Sequence, residues 1–307
     1  MSVTLLVGML AATMAQQQLD TTFEVRSGSR IEVETFGGSI TVRSWNRNEV
    51  RVQAQHGRRD VIDIDARGSS VRIEAEGYMG VAKDVRFNLM VPRSSHIEAS
   101  GVQTDIDIEG VAGDVDAETV QGEIRVVGGG RLKLESVEGE IVIAGARGRV
   151  QASTVNRGIR VNDVVGDLDL ETVNGPIIIQ KVQATSVDAA TVNGRIVYDG
   201  TIRDGGDYAL TTHNGPIWVV IPNGTNASVS VSTFNGELDT TVDLPKIETS
   251  GSRRSFSFVL GNGKARIDLE TFGGDINLRR PGENLPTTVT PTTPKRPQPP
   301  RIRSHND

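Results

Sequence analysis

The sequence has no cysteine and few aromatic residues, with two Trp, three Tyr and seven Phe among 307 residues. The first absence excludes disulfides, thiol nucleophiles, cysteine-ligated metals and an N-terminal lipid-anchored cysteine. The second means that Val, Ile, Leu, Ala and Thr must fill the interior. Together with 34 glycines, this composition favours thin β-layers over a wide globular core.

Charge and hydropathy narrow the classes of partner. The 33 basic and 39 acidic residues give a net charge of -6, so nucleic acids and other acidic polymers are poor partner candidates. An apolar run from Val3 to Ala15 is too short to span a bilayer, which takes about 20 residues. Thr13 and Ala15 are spaced like a signal-peptidase site. We therefore predict a signal peptide over residues 1–18, export to the periplasm or the cell surface, and no transmembrane segment.

One short phrase recurs along most of the chain, for example as ETVNGPI at residues 171–177 and ATVNGRI at residues 190–196. Its final Ile or Leu returns every 17 to 21 residues, at positions 106, 124, 141, 159, 177, 196, 217 and 238. The next step, from 238 to 276, spans two periods. A period of about 20 residues is typical of stacked solenoid coils. We predict an all-β fold, a single-stranded β-solenoid similar to a β-helix with about ten short coils, one of which passes through residues 247–251.

Each period contains two strand-like halves, such as Gly166–Leu170 and Pro176–Gln180, separated by Asn-Gly. Asn-Gly tolerates positive φ and predicts a sharp turn. In stacked coils, equivalent positions form columns of side chains. We predict that hydroxyls and amides in these columns satisfy one another at the corner and serve stacking rather than a ligand. The predicted columns are Thr119, Ser136, Thr154, Thr172, Thr191, Thr212, Thr233 and Thr271 for hydroxyls, and Asn174, Asn193, Asn214 and Asn235 for amides.

The two ends of the chain differ from the repeats. Residues 19–98 carry strand-like segments at irregular spacing and are predicted to form an N-terminal β cap or small sandwich, which would cover the edges of the first coil. Residues 99–280 hold the repeats. Residues 281–307 are rich in Pro and Thr and are predicted to be a disordered tail. Four basic and two acidic residues give this tail a charge of +2, beside a body near -8.

Motifs for chemistry are absent or weak. The run Gly261-Asn-Gly-Lys264 lacks the spacing of a phosphate loop, and His56, His96, His213 and His305 are scattered. Residues 105–110, with Asp116, resemble a calcium loop, but their apolar alternation fits a strand better.

Stacked carboxylates leave one enzymatic alternative open, because a glycoside-cleaving enzyme needs two of them beside the scissile bond. The candidates are Asp163, Asp167, Asp169, Glu118, Glu135, Glu123 and Glu140. Few aromatic residues are available to form a platform for a sugar. We therefore predict that the protein is not an enzyme and has no catalytic, cofactor-binding or metal-binding residues.

The run Asn88-Leu-Met-Val-Pro92, followed by units of the form Gly-x-Val-x-x-Glu-Thr-Val-x-Gly-x-Ile, resembles the bacterial putative-adhesin family, a domain of unknown function. The resemblance covers residues 20–280 and implies a β-solenoid of the envelope or surface, with no catalytic residues to carry over. Asn156-Arg-Gly158, where the glycine is displaced by one position, departs from the pattern.

Three functions fit these observations. The preferred one is a non-enzymatic, exported scaffold or adhesin that binds an envelope polymer or protein through its repeated face. The alternatives are a carbohydrate-active β-helix enzyme and a regulatory partner in envelope stress signalling. The sequence leaves the partner and the oligomeric state open.

Overall fold

A computed structural model describes residues 17–77, 82, 84–245, 248–250 and 254–287. These residues form 25 β-strands, and none of them belongs to a helix long and apolar enough to cross a membrane. The predicted signal peptide lies outside this part of the chain except for Gln17 and Gln18, which open the first strand. The all-β prediction is confirmed.

The strands are mostly short and follow one another closely. The first seven are β1 (Gln17–Glu24), β2 (Arg30–Trp45), β3 (Glu49–His56), β4 (Val61–Arg67), β5 (Ser70–Glu76), β6 (Val85–Pro92) and β7 (His96–Glu109). The next twelve are β8 (Val115–Gln121), β9 (Ile124–Val127), β10 (Leu132–Ser136), β11 (Ile141–Ala144), β12 (Val150–Thr154), β13 (Ile159–Asn162), β14 (Leu168–Thr172), β15 (Ile177–Gln183), β16 (Ser186–Thr191), β17 (Ile196–Thr201), β18 (Asp207–Thr212) and β19 (Ile217–Val220). The last six are β20 (Ala227–Thr233), β21 (Leu238–Thr240), β22 (Glu248–Ser250), β23 (Arg254–Leu260), β24 (Ala265–Thr271) and β25 (Ile276–Arg279).

The coils stack into two parallel columns of strands, which we call sheet A and sheet B. Each coil gives its first strand to sheet A and its second strand to sheet B. In sheet A, β8, β10, β12, β14, β16 and β18 pair in that order, and in sheet B so do β9, β11, β13, β15, β17 and β19. β2 and β7 run through both sheets. The solenoid prediction is confirmed.

The core lies between the two sheets because apolar residues alternate along the strands of each coil. In sheet B the Ile that closes the repeated phrase is at most 1% exposed at Ile40, Ile106, Ile124, Ile141, Ile159, Ile177, Ile196, Ile217 and Ile276. In sheet A one inward column alternates small and large side chains from coil to coil, as Ala117, Leu134, Ala152, Leu170, Ala189 and Leu210. This alternation fills the interior without aromatic bulk.

The coils do not stack in sequence order at either end. Near the N-terminus, β2 lies between β7 and the later strands β5 and β6. Near the C-terminus, β24 and β25 lie between the coil of β18 and β19 and the coil of β20 and β21. The coil that comes first in the sequence and the coil that comes last therefore each lie one position inside the corresponding end of the stack. Both carry a Thr-Phe-Gly-Gly corner, at residues 35–38 and 271–274.

Antiparallel strands extend the stack at its ends. In sheet A, β4 pairs with β5 at one end, and β23 pairs with β20 and β22 at the other. In sheet B, β3 pairs with β6 and β1 pairs with β3. The predicted coil through residues 247–251 is wrong, because its described part, β22, is an antiparallel edge strand. The two-period step from 238 to 276 contains this antiparallel excursion instead.

The coils begin earlier than the predicted boundary at residue 98, which falls inside β7. Within residues 19–98, β2, β5 and β6 are parallel members of the stack, and only β1, β3 and β4 lie outside it. Strand-like segments are irregularly spaced in this region because β3 and β4, which extend the stack, come between the coil strands β2 and β5 in the sequence. Further along, the predicted tail begins with a described stretch that ends at Thr287, and residues 288–307 lie outside the described chain.

Candidate functional site

The repeated corner between the two strands of a coil holds a column of buried hydroxyl groups. Each donates a hydrogen bond to a backbone carbonyl of an adjacent corner rather than to another hydroxyl, as from Thr154 to the carbonyl of Gly139 at 3.0 Å. Thr119, Ser136, Thr172, Thr191, Thr212, Thr271 and Thr233 make the same contact at 2.8 to 3.4 Å. All eight residues are at most 6% exposed. Backbone bonds between coils continue at the corner, as from the N–H of Asn174 to the carbonyl of Val155 at 2.7 Å, and the hydroxyls add donors for further carbonyls there.

Glycine closes the phrase because neighbouring corners approach closely. A Cβ on Gly194 would lie 1.9 Å from the carbonyl oxygen of Gly175, and one on Gly215 would lie 2.0 Å from that of Gly194. Gly194 and Gly215 are not among the residues with positive φ. The predicted reason for glycine, a left-handed turn, is therefore wrong at these positions. Glycine is required there by backbone contact between coils.

In the coil of β7, whose phrase is SGVQTDI, glycine and threonine exchange positions, and the corner keeps its close packing. Its register places Gly101 beside Thr119, and Thr104 beside Gly38. A Cβ on Gly101 would lie 2.4 Å from the hydroxyl oxygen of Thr104, so Thr104 fills the space from the other side of the corner. Thr104 is fully buried. The divergent phrase therefore forms a complete coil.

Amide side chains form a second column at the corner. Asn174 donates to Asn156 at 3.1 Å, and Asn193 and Asn214 each donate to the preceding asparagine at 2.9 Å. The inserted coil has Gly273 at the equivalent position, which separates Asn235 from this row. Three of the four predicted amides are thus brought together. Each amide has hydrogen-bonding capacity beyond its bonds along the row.

An exposed row of mostly apolar side chains runs along the same corner. It consists of the third residue of the phrase in every coil that carries the phrase except that of β2, where Phe36 is half-buried. We call this row the corner ridge, and in spatial order it is Val102, Val120, Val137, Val155, Val173, Val192, His213, Phe272 and Phe234. Its eight apolar members are 36% to 53% exposed. Scattered exposed valines are ordinary, but a continuous apolar row is typical of an interaction site. Our sequence reasoning missed it, although a recurring apolar residue inside a polar turn phrase was a usable signal.

The corner ridge ends in a column of three aromatic rings. His213 stacks on Phe272 at 4.9 Å between ring centroids, and Phe272 stacks on Phe234 at 4.8 Å. These distances match the spacing of neighbouring strands. A cleft of about 390 Å³ beside the rings is lined in part by Thr211 and Glu270. The inserted coil completes the column, because it places Phe272 between His213 and Phe234, which are closer to each other in the sequence.

The first three carboxylates considered for glycoside cleavage have local partners. Asp163 lies 3.4 Å from Arg147, and Asp169 lies 3.5 Å from another arginine. Burial alone would raise the pKa of Asp167, but hydrogen bonds from the Thr185 side chain and nearby backbone N–H groups outweigh it and lower that pKa. Each of the three aspartates thus has a polar partner in a neighbouring coil.

Two glutamate pairs stack one coil apart, Glu118 with Glu135 and Glu123 with Glu140. Burial raises the pKa of Glu123, and the negative charges of Glu140 and Asp105 raise it further. A raised pKa suits a general acid, although ion-pair networks also produce one. In the described part of the chain, no three His, Asp or Glu side chains are grouped so that they could hold a metal ion.

Residues 105–109 belong to β7, as their alternation predicted. Asp107 lies 2.6 Å from Arg43 and 3.1 Å from Arg125, and Asp105 accepts a hydrogen bond from the backbone N–H of Glu123. These contacts tie neighbouring coils together. The run is therefore a β-strand and not a loop.

The remaining sequence candidates are spread over the molecule. His56 lies at the end of β3 and His96 at the start of β7, while His305 lies outside the described residues. The glycine-rich run before Lys264 connects β23 to β24, and Lys264 pairs with Asp204 at 2.9 Å. None of these residues belongs to the corner ridge.

Comparison with known proteins identifies a family. The model of Toastrack DUF4097 matches residues 13–279. This match spans the repeats that carried the resemblance to a bacterial putative-adhesin family, and that resemblance is confirmed. No curated protein matches the sequence.

Solved structures show weak likenesses. A putative cell adhesion protein from Clostridium sporogenes ATCC 15579 is 8% identical, with 87% of this chain and 100% of that chain covered and a TM-score of 0.25. A putative adhesin from Parabacteroides distasonis ATCC 8503 is 8% identical, with 87% and 98% covered and a TM-score of 0.34. A putative lipid binding protein from the same strain is 10% identical, with 86% and 96% covered and a TM-score of 0.37. Likenesses this weak say nothing about the function of this chain.

Proposed function

This chain belongs to the Toastrack DUF4097 family, and on that premise we propose that it is an exported, non-enzymatic scaffold that binds an envelope polymer or protein along its corner ridge. The observation that carries the proposal is the continuous row of exposed side chains, one per coil. Because the buried hydroxyls and close-packed glycines fix each corner, the row is rigid before a partner arrives. A rigid surface binds with a smaller loss of conformational entropy than a mobile one.

The flanks of the corner ridge define the chemistry of a suitable partner. Exposed glutamates precede the hydroxyl column in several coils, as at Glu118, Glu171 and Glu270, and the amide column follows it. A partner would need apolar groups for the ridge and donors or acceptors for the amides. Negative charge on that partner would be repelled by the glutamates. The surface therefore favours an uncharged or basic polymer or protein over an acidic one.

Export is the second element of the proposal. Cleavage at the Thr13-x-Ala15 site would leave Gln16 as the first residue and β1 whole, whereas removal of all of the predicted residues 1–18 would take the first two residues of β1. Cell fractionation and mass spectrometry of the mature N-terminus test this. A protein that stays in the cytoplasm with an uncleaved N-terminus would contradict export.

Substitution along the corner ridge tests the binding surface. We expect Val155→Asp, Val173→Asp and Val192→Asp, combined in the full chain, to weaken binding to isolated envelope components. About two fifths of each valine remains to be buried, which corresponds to about 0.6 to 1 kcal/mol per side chain. Three such losses weaken binding by at least about 20-fold, before the added charges are considered.

The matched control is Val165→Asp. Val165 is 37% exposed and Val155 is 38% exposed, but Val165 lies outside the corner ridge. Circular dichroism and thermal unfolding establish that all variants remain folded. Equal loss of binding in the control and the triple variant would show that the contact is not specific to the ridge.

The non-enzymatic part of the proposal has its own test. Among the described residues, Glu123 is the carboxyl whose surroundings best suit an acid, because burial and neighbouring charges raise its pKa. Purified protein should release no reducing sugar from envelope polysaccharides. Release that disappears in Glu123→Gln, with thermal stability unchanged, would establish the carbohydrate-active alternative.

A further inference from the structure

The amide column ends in an acceptor that the column leaves free. Asn174, Asn193 and Asn214 each donate to the asparagine of the preceding coil, so all of these hydrogen bonds run in one direction. The side-chain oxygen of Asn214 is the last acceptor of the row. Among the residues that the structure describes, none donates a hydrogen bond to this oxygen. Asn214 is exposed, and its oxygen is therefore available to a ligand.

Gly273 leaves a notch directly beside this oxygen. The N–H of Gly273 donates to the carbonyl of His213 at 2.9 Å. The N–H of Asn235 donates to the carbonyl of Phe272 at 3.0 Å, so the three corners stack without a break. A Cβ on Gly273 would lie 3.2 Å from the side-chain oxygen of Asn214. The oxygen thus borders the space that a side chain at residue 273 would fill, and Asn235 borders that space from the next coil.

The width of the notch fits one amide group. Asn214 and Asn235 are two strand spacings apart, about 10 Å. Asn174 and Asn214 are separated by the same two spacings, and Asn193 bridges them by donating to one and accepting from the other. A trans secondary amide can do the same in the notch, because its N–H and C=O point in opposite directions. Its N–H would donate to Asn214, and its carbonyl would accept from the exposed side chain of Asn235.

The surroundings of the notch favour an amide that ends in a methyl group. A group that enters from solvent has its tip against the backbone of Gly273. The acceptor nearest to that tip, after the Asn214 oxygen, is the His213 carbonyl, which already receives the N–H of Gly273. A primary amide, as in a glutamine side chain, would point its second N–H at this occupied acceptor, whereas a methyl tip needs none. The Phe272 ring, 44% exposed, supplies an apolar contact for the methyl group.

We propose that the notch at Gly273 binds the acetamido group of an N-acetylated amino sugar, so that the envelope partner is a polysaccharide that carries such groups. This rests on the proposed binding along the corner ridge, because the residues of the notch directly follow His213, Phe272 and Phe234 of that ridge. It names the class of partner for the same surface. An acetamido group is uncharged, so the exposed Glu270 in the same coil does not repel it.

Filling the notch tests the site. Gly273 is not among the glycines with positive φ, and Asn holds the equivalent position in neighbouring coils, so Gly273→Asn completes the row without strain in the backbone. The probe is tri-N-acetylchitotriose, and the matched ligand is cellotriose, which has a hydroxyl group in place of each acetamido group. Titration of the full chain, followed by NMR, should show at least about fivefold tighter binding of the acetylated sugar. In Gly273→Asn that difference should disappear.

Two controls locate the effect. Gly205→Asn places the same side chain in an open turn away from the notch, and this variant should keep the preference for the acetylated sugar. The side-chain amide signals of Asn214 and Asn235 should shift on titration with that sugar. Those of Asn156, at the other end of the amide row, should stay in place.

The triple valine variant of the corner ridge separates this proposal from ridge binding. It leaves the notch in place, so it should lose binding to envelope components and keep the preference for the acetylated sugar. Equal binding of the two trisaccharides by the parent chain, or a preference that survives in Gly273→Asn, would overturn the notch and leave ridge binding untouched. Tighter binding of a glutamine-rich peptide than of the acetylated sugar would assign the notch to a protein partner and overturn the polysaccharide.

Discussion

Removal of one corner hydroxyl should destabilise the rod by a predictable amount. Thr154 is 4% exposed, and its hydroxyl donates to the carbonyl of Gly139, one coil away, at 3.0 Å. Thr154→Val keeps the shape of the side chain and removes only this donor. A buried hydrogen bond contributes about 0.5 to 1.5 kcal/mol, and an acceptor left without its donor costs about 1 to 3 kcal/mol. Because the added methyl group recovers part of that loss, we expect a net loss of about 1 to 2 kcal/mol.

Guanidinium chloride unfolding and amide hydrogen exchange together measure the effect. Unfolding gives the change in free energy, and exchange shows whether the loss is confined to the coils of Thr154 and its neighbours. Thr211→Val is the matched control, because Thr211 is exposed and lies in a strand where valine is well tolerated. A Thr154→Val variant as stable as the parent, within about 0.3 kcal/mol, would refute the role of the hydroxyl column.

Three further predictions concern the corners, the order of the coils and the N-terminal edge. Gly194→Ala should destabilise the protein by at least about 2 kcal/mol in chemical unfolding, because its Cβ would lie 1.9 Å from a carbonyl oxygen of the adjacent coil. Gly205→Asn, in an open turn with a φ of 78°, should cost less than about 1 kcal/mol, and equal losses would contradict the close approach. Cysteines at Thr211 and Glu270 should form a disulfide under mild oxidation because these residues are register partners, whereas cysteines at Thr211 and Ser232 should not, because Glu270 separates them. The opposite pattern would overturn the inserted coil. Hydrogen bonding to Arg51 holds the pKa of Asp20 at about 2 in the folded protein, below its ordinary value of 3.8. The contact between Asp20 on β1 and Arg51 on β3 therefore stabilises the fold above about pH 4. This stabilisation is lost as the pH falls toward about 2. The protection of the β1 amides, measured relative to their intrinsic exchange rates at each pH, should fall over that interval, and an Asp20→Asn variant with the same pH dependence would assign it to another group.

The repeated phrase made the architecture predictable. The length of its period predicts the approximate number of coils. The two apolar segments of each period predict two strands, and each coil contributes one of them to each sheet. The column of buried hydroxyls was also predictable, since a threonine such as Thr154 recurs a few residues before the glycine of the phrase in nearly every coil. These properties are local and repeat with the chain, so one sequence suffices to find them.

Spatial neighbours were harder to predict, because every coil presents nearly the same edge to the next. Nothing in a single phrase says whether β20 or β24 lies beside β18. The Thr-Phe-Gly-Gly corners at residues 35–38 and 271–274 were the usable signal, since both belong to the inserted coils. The exchange of Gly101 and Thr104 also escaped detection, because it is visible only when both residues are placed against the coils beside them. The corner ridge escaped for a simpler reason: its valines resemble core residues until their exposure is known.

The inserted coils determine when each end of the rod can be completed during synthesis. β2 is made before both of its neighbours in the stack: β5 and β6 are complete at residue 92, and β7 is complete only at residue 109. At the other end, β20 and β21 lack their parallel neighbours until β24 and β25 follow. A nascent chain can therefore complete its N-terminal end once residue 109 has been made, add the middle coils in sequence order, and complete its C-terminal end only when β24 and β25 follow. A chain interrupted before residue 265 loses an interior coil, and the strands made just before the interruption lose the partner on which they rest.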